Sequence, residues 1–108
     1  MVKLPGLPTS IKIGHTVLKV KRMTDKESHY GEMRGKYEPY KQTILVWEDL
    51  LPSDAAETML HEILHACWRN VSLTGDVEEN AVSVLAEGLA QVIRDNPDVV
   101  KCLVKFLK

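Results

Sequence analysis

The chain has 108 residues, of which 44% are hydrophobic and 27% charged, and its 14 basic residues nearly balance its 15 acidic ones. These figures fit one soluble globular domain over residues 1–108. The charge balance argues against a nucleic-acid binder, so nucleic acid is not expected as a partner. The longest apolar run, residues 43–47, is far below the ~20 residues that a membrane-spanning helix needs, so no membrane partner is expected.

The first eight residues carry one lysine and two prolines where a secretory signal needs a continuous apolar stretch. The sequence therefore predicts a cytoplasmic protein. Its two cysteines, Cys67 and Cys102, lie too far apart for a CxxC motif, which argues against a zinc ribbon or a redox pair. Both are expected to be buried thiols, because a free cysteine behaves as a small hydrophobic residue.

The first half of the chain is predicted to form β-structure. Apolar residues between 11 and 21 indicate one half-buried strand with an irregularity near Gly14. A polar segment over residues 24–36 is typical of turn and loop, with a short strand expected around 31–33. The β-branched and aromatic run at 42–47 predicts a second firm strand.

The second half switches to helical periodicity. Pro52-Ser53-Asp54 is a helix-start signal, and Asn96-Pro97 is a helix-stop signal. Apolar residues recur at helical spacing between and after these signals. The predicted helices cover about residues 53–70, 77–95 and 97–107.

The order of these elements predicts the fold class. Strands are followed by helices with no βαβ alternation, which is typical of an α+β domain. We therefore expect a β-rich part over residues 1–50, with a small antiparallel sheet, packed against a helical part over residues 52–108.

The most informative motif is His61-Glu62-Ile63-Leu64-His65, an HExxH sequence inside the first predicted helix. Residues i and i+4 of a helix share a face, so both imidazoles can bind one metal ion. Glu62 is turned about 100° from His61 around the helix axis. It can stay out of the coordination shell and still act on a water molecule, as the general base of a metalloprotease does.

The alternative interpretation is two ordinary histidines on an amphipathic helix. The aliphatic stripe of this helix centres between Leu60 and Ile63, and both histidines fall to one side of it. A pair of imidazoles at the edge of a packed face suits a site that borders a groove. Trp68 lies one turn beyond His65, where simple packing is the favoured interpretation and shielding the metal or lining a pocket is the alternative.

A catalytic zinc site has three protein ligands and an open fourth position, so a third ligand is needed. Glu78 and Glu79 begin the next predicted helix and are the main candidates. Projection of that helix places Glu78 near the centre of its apolar stripe, where a carboxylate needs a partner, and Glu79 about 100° away. Glu78 is therefore preferred, with Glu79 as the alternative, and Asp76 or no carboxylate as the remaining possibilities.

Four stretches of the chain form a combination that is more specific than HExxH alone. They are residues 57–66, Glu78-Glu79 with Val82 and Leu85, residues 88–97, and the preceding strand at 40–44. Together they resemble small phage- and prophage-encoded zinc metallopeptidases, over about residues 30–100. More distantly, the chain is similar to ImmA/IrrE-type proteases, which are minimal gluzincin-like domains with a third glutamate ligand.

The resemblance implies a minimal zincin-like fold and a peptidase that works in a host cytoplasm on a protein or peptide substrate. It implies zinc held by His61, His65 and Glu78, with Glu62 as the general base. An extended substrate would pair with a strand edge, for which we expect the strand around residues 44–46.

The donor that stabilises the oxyanion is left open by the sequence. Its candidates are His15, His29, Tyr30, Tyr37 and Tyr40.

Two other functions compete with a peptidase. The first is a non-catalytic protein-binding domain with a structural or vestigial zinc site, because a chain of this length has little room for a substrate-enclosing lobe. The second is a DNA-associated protease resembling the SprT-like group, which only the basic run at residues 19–22 supports.

Overall fold

The computed structural model describes residues 7–69 and 77–107, with side chains described for residues 7–68 and 80–107. The strands precede the helices in the chain. Their order is β1 (Ser10–Ile13), β2 (Thr16–Met23), β3 (Gly35–Glu38), a 3₁₀ turn (Pro39–Lys41), β4 (Thr43–Trp47), α1 (Pro52–Arg69), α2 (Val77–Asp95) and α3 (Pro97–Phe106).

The strands form one four-stranded sheet in the order β1-β2-β4-β3. Helices α1 and α2 pack against this sheet, and α3 packs against the other two helices. This arrangement confirms the predicted α+β class. The sheet departs from the expected antiparallel pattern at one pair, because β2 and β4 are parallel. The other two pairs are antiparallel. β2 and β4 both run opposite to β3, and they form a parallel pair because β4 lies between β2 and β3 in the sheet.

Two strand predictions were wrong in their boundaries. The single strand expected over residues 11–21 is a hairpin, in which β1 and β2 pair around a two-residue loop at Gly14 and His15. Gly14 has a φ of 61°, which glycine adopts without steric cost. The short strand expected around residues 31–33 lies further along the chain, at Gly35–Glu38.

The prediction that the strand around residues 44–46 offers an edge to the substrate was also wrong. The strand around residues 44–46 belongs to β4, which is paired with β2 on one side and with β3 on the other. Its backbone hydrogen-bonding groups are therefore taken up inside the sheet. The sheet edges are β1 and β3, and of the two β3 packs more extensively against α1.

The three predicted helices are confirmed within one residue at either end. The core lies between the sheet and these helices, and its centre is fully buried. Residues with no exposed surface there are Ile11, Ile44, Val46, Ala55, Met59 and Ile63. Cys67 and Cys102 belong to the same core, as expected for buried thiols. Among the described helices, none combines the length and apolar character needed to cross a membrane.

Candidate metal centre

The centre of the site is a cluster on α1 formed by the side chains of His61, Glu62 and His65. One potential ligand atom from each residue lies within 4.8 Å of the other two. The two imidazole rings pack edge to face, with centroids 4.7 Å apart and planes at 78°. Helical spacing is the cause, since residues four apart are stacked one turn above each other. The cluster can therefore hold a metal ion.

The three residues differ sharply in exposure. The side chain of His61 is 67% exposed, and His65 is exposed as well. Glu62, in contrast, is only 7% exposed. The imidazoles thus stand at the surface, as expected for a site at the edge of the packed face. The carboxylate lies beneath them, between α1 and the sheet.

Glu62 is held by its neighbour in the chain. Its Oε2 lies 2.8 Å from Nδ1 of His61. When Nδ1 carries the proton and donates it to this carboxylate, the lone pair of the ring is on Nε2, which is then the nitrogen available to a metal. The contact therefore orients both the imidazole and the carboxylate.

The burial of Glu62 depends on the edge strand β3. A Cβ atom placed on Gly35 would lie 3.4 Å from Cγ of Glu62 and would collide with the methyl group of Thr58. Only a residue without a side chain lets the strand approach α1 so closely. Gly35 is a contributor to the site that the sequence analysis missed. Its one signal was a glycine in a polar stretch ahead of the helix that carries HExxH.

A groove of about 580 Å³ opens between β3 and α1 in front of the cluster. All three cluster residues line it, together with Lys36 and Tyr37 of the edge strand. Its walls also include Met33, Gly35, Pro39 and Trp68. Of the five candidates for oxyanion stabilisation, Tyr37 lines this groove and the other four do not. Trp68 is 36% exposed and lines the groove, so the less favoured interpretation of this residue holds.

The third-ligand hypothesis stays a prediction. Glu78 and Glu79 are the second and third residues of α2, and their side chains lie outside the described part of the chain, as does all of Asp76. The helix that carries the two glutamates does pack on α1. Gly88 faces Cys67 so closely that a Cβ atom there would be 2.8 Å from its Sγ.

Comparison of the chain with protein-family models, curated proteins and solved structures found no match. The resemblance to phage zinc metallopeptidases therefore rests on the sequence alone, and the site must be interpreted from its own chemistry. Two imidazoles and a neighbouring carboxylate at the surface of a groove are a donor set that fits a divalent metal ion.

Proposed function

We propose that the protein is a zinc-dependent metallopeptidase, in which His61 and His65 hold the metal and Glu62 is the general base. The observation that carries this proposal is the position of the cluster, which opens into a groove bordered by an edge strand of the sheet. Two imidazoles with a carboxylate ligand are typical of catalytic zinc, and Glu78 is the preferred source of that carboxylate.

A bound zinc ion supplies Lewis acidity, which polarises a carbonyl group and lets a water molecule lose a proton near neutral pH. Glu62 accepts that proton and later gives it to the leaving amine. Its burial under β3 and its contact with His61 support this role, because both restrict the carboxylate to one position beside the imidazoles. A carboxylate that is already held in one position loses little conformational entropy when the transition state forms.

The substrate is proposed to bind as an extra strand along β3 (Gly35–Glu38). This strand is paired with β4 on one side only, so its other side offers backbone donors and acceptors to an extended peptide. Because β3 passes over Glu62 at Gly35, a peptide in that position runs past the cluster. Tyr37 on the same strand is the proposed donor to the oxyanion.

The test is cleavage of a mixed peptide substrate by zinc-loaded Glu62→Gln protein. We expect a loss of at least about a hundredfold in rate with unchanged zinc content, the range for removing a general base. Glu57→Gln is the matched control, since Glu57 lies on the same helix and is exposed. Cleavage at the original rate by the Glu62→Gln protein would contradict the proposal. Zinc binding without any cleavage by the unaltered protein would favour the non-catalytic binding domain instead.

A further inference from the structure

A second, smaller groove flanks the histidine pair on the side of α2. Its volume is about 320 Å³, and it shares His61 and His65 with the larger groove. Leu64 and Trp68 of α1 and Leu85 of α2 form the rest of its described walls. We call this groove the apolar pocket. Its size is near the lower end of the roughly 300–1,000 Å³ of ligand sites, which suits one large side chain.

Among its described residues, the apolar pocket has no acidic side chain, lysine or arginine in its walls, and the two imidazoles are the polar groups at one end. Trp68 is 36% exposed, and Leu64 and Leu85 are only partly buried. Large apolar side chains left open to water next to polar catalytic groups are typical of a binding site. The pocket thus has apolar walls that are open to water and one end formed by His61 and His65.

We infer that the apolar pocket receives a large aliphatic or aromatic side chain of the substrate, next to the bond that is cleaved. This inference rests on the proposed peptidase function. Trp68 supports it because it lines both grooves and so connects the path of the peptide to the pocket. Side chains of an extended peptide alternate in direction, so a peptide along β3 turns every second side chain towards the helices. The substrate side chain that lies beside His61 and His65 then enters the apolar pocket.

The chemistry of the walls selects against charged side chains. A carboxylate or ammonium group entering the pocket would lose water without gaining a partner from the three apolar residues. An aliphatic or aromatic group would gain from leaving water and from contact with the Trp68 ring. The protein is therefore expected to prefer substrates with leucine, phenylalanine or a similar residue at this one position.

The first test uses the zinc-loaded protein and a degenerate peptide library, with the cleaved bonds identified by mass spectrometry. Peptides matched except at the selected position then carry Leu, Phe, Ala, Lys or Asp. We expect kcat/KM for Leu and Phe to exceed that for Lys and Asp by at least about tenfold, since small changes in apolar contact already give about 10–200-fold. Equal cleavage of all five peptides would overturn the inference while leaving the peptidase function intact.

Variants of the pocket sharpen this test. Trp68→Ala should reduce the preference for Leu and Phe by about tenfold. Leu85→Phe fills the pocket and should shift the preference towards Ala. It tests the assignment without a truncation, in case the Trp68→Ala protein does not fold. Ile93→Ala is the matched control, because Ile93 is an exposed apolar residue on the same helix as Leu85 and lies outside the pocket. A preference that is unchanged in both pocket variants would contradict the assignment.

The second test needs no catalysis. Zinc-loaded Glu62→Gln protein is titrated with two otherwise identical extended peptides that carry Leu or Asp at their central position, while tryptophan fluorescence and heat are recorded. We expect the Leu peptide to bind at least about tenfold more tightly and to change the emission in a way that Trp68→Phe abolishes. Such binding would support the pocket even if the unaltered protein cleaves nothing, in which case the peptidase proposal alone fails. No difference in affinity between the two peptides would overturn the pocket.

Discussion

Gly35 of β3 packs directly against Glu62 of α1, and the fit has no room for a methyl group. A Cβ atom at residue 35 would meet the Thr58 methyl group, would lie 3.3 Å from the Leu45 carbonyl oxygen and would lie 3.4 Å from Glu62 Cγ. At this contact, β3 presents only its backbone, and α1 presents the side chains of Thr58 and Glu62. The position of the proposed general base depends on this contact.

Gly35→Ala should consequently destabilise the protein and lower its peptidase activity together. Overpacking of this kind costs about 1–3 kcal/mol, and here it pushes β3 away from the carboxylate that it covers. Urea unfolding and peptide cleavage would measure the two effects. Thr58→Ser removes the methyl group that collides and should restore much of both properties in the double variant. Strictly additive effects of the two substitutions would contradict the predicted contact.

Removal of the metal should leave the fold in place. The core beneath α1 is closed by residues such as Met59 and Ile63, whereas the histidines stand at the surface. Zinc at a hundred times its Kd stabilises a folded protein by about 2.7 kcal/mol through mass action. Chelation should therefore lower Tm but keep a cooperative transition and the far-UV circular dichroism. His61→Ala protein should melt at one temperature with or without zinc. Collapse of the unaltered chain on chelation would indicate a structural metal.

Local signals explain why the helices could be predicted from the sequence and β3 could not. Pro52 and the Asn96-Pro97 pair mark helix ends through their own backbone preferences, so the bounds of α1, α2 and α3 came out within one residue. The β3 sequence, Gly35 to Glu38, has no alternation of apolar residues. Its strand conformation comes from pairing with β4 and from packing on α1, which only the folded chain provides.

The same distinction applies to the site. The meeting of His61 and His65 follows from helix geometry, because four residues make about one turn. The burial of Glu62 and the groove in front of it follow from the path of β3, which no pattern in the sequence records. The choice of Tyr37 among five candidate donors likewise required the sheet order, since the edge strand brings that residue to the groove.

Asn96 ties the helices to the first strand and should be important for stability. Its side chain accepts a hydrogen bond from Lys12 N at 2.7 Å and donates one to Lys12 O at 2.8 Å, and the residue is 9% exposed. Asn96→Ala removes the side-chain acceptor of Lys12 N and one of the two side-chain donors to Lys12 O, whose other donor is Gln91. The N–H left without this acceptor costs about 1–3 kcal/mol if it stays buried. Gln91 bonds to the same Lys12 O at an exposed position, so Gln91→Ala should cost less. Equal unfolding free energies for the two variants would contradict this ranking.

The two thiols should make the fold less stable in alkali. Burial raises the pKa of Cys67 and of Cys102 above the ordinary value of 9.0. A raised pKa in the folded state means that the stabilisation is complete below 9.0 and is lost as the pH rises through the raised value. Urea unfolding at pH 7 and pH 10 would measure the loss. The Cys67→Ala/Cys102→Ala double variant should lose less stability between these pH values, and an equal loss would show that the thiols are not responsible.

The ligands of the proposed metal can be assigned by counting zinc. The unaltered chain should bind one zinc ion, and His61→Ala or His65→Ala should each weaken binding by more than about 100-fold, the upper limit for changes that only touch a ligand's partner. His15→Ala and His29→Ala are matched controls, because both residues are exposed and lie outside the cluster. These two variants should keep the full zinc content, which elemental analysis after dialysis would measure.

The same measurement decides between the two glutamates at the start of α2. Glu78→Gln should release zinc to nearly the extent of His61→Ala, because the sequence pattern at 100° per residue predicts that position 78 falls on the apolar stripe. Glu79→Gln should retain the metal, since a carboxylate at that position is also stabilised by the helix N-terminus without any ligand. Loss of zinc in Glu79→Gln alone would move the third ligand by one residue. Retention of zinc in both variants would remove α2 from the site.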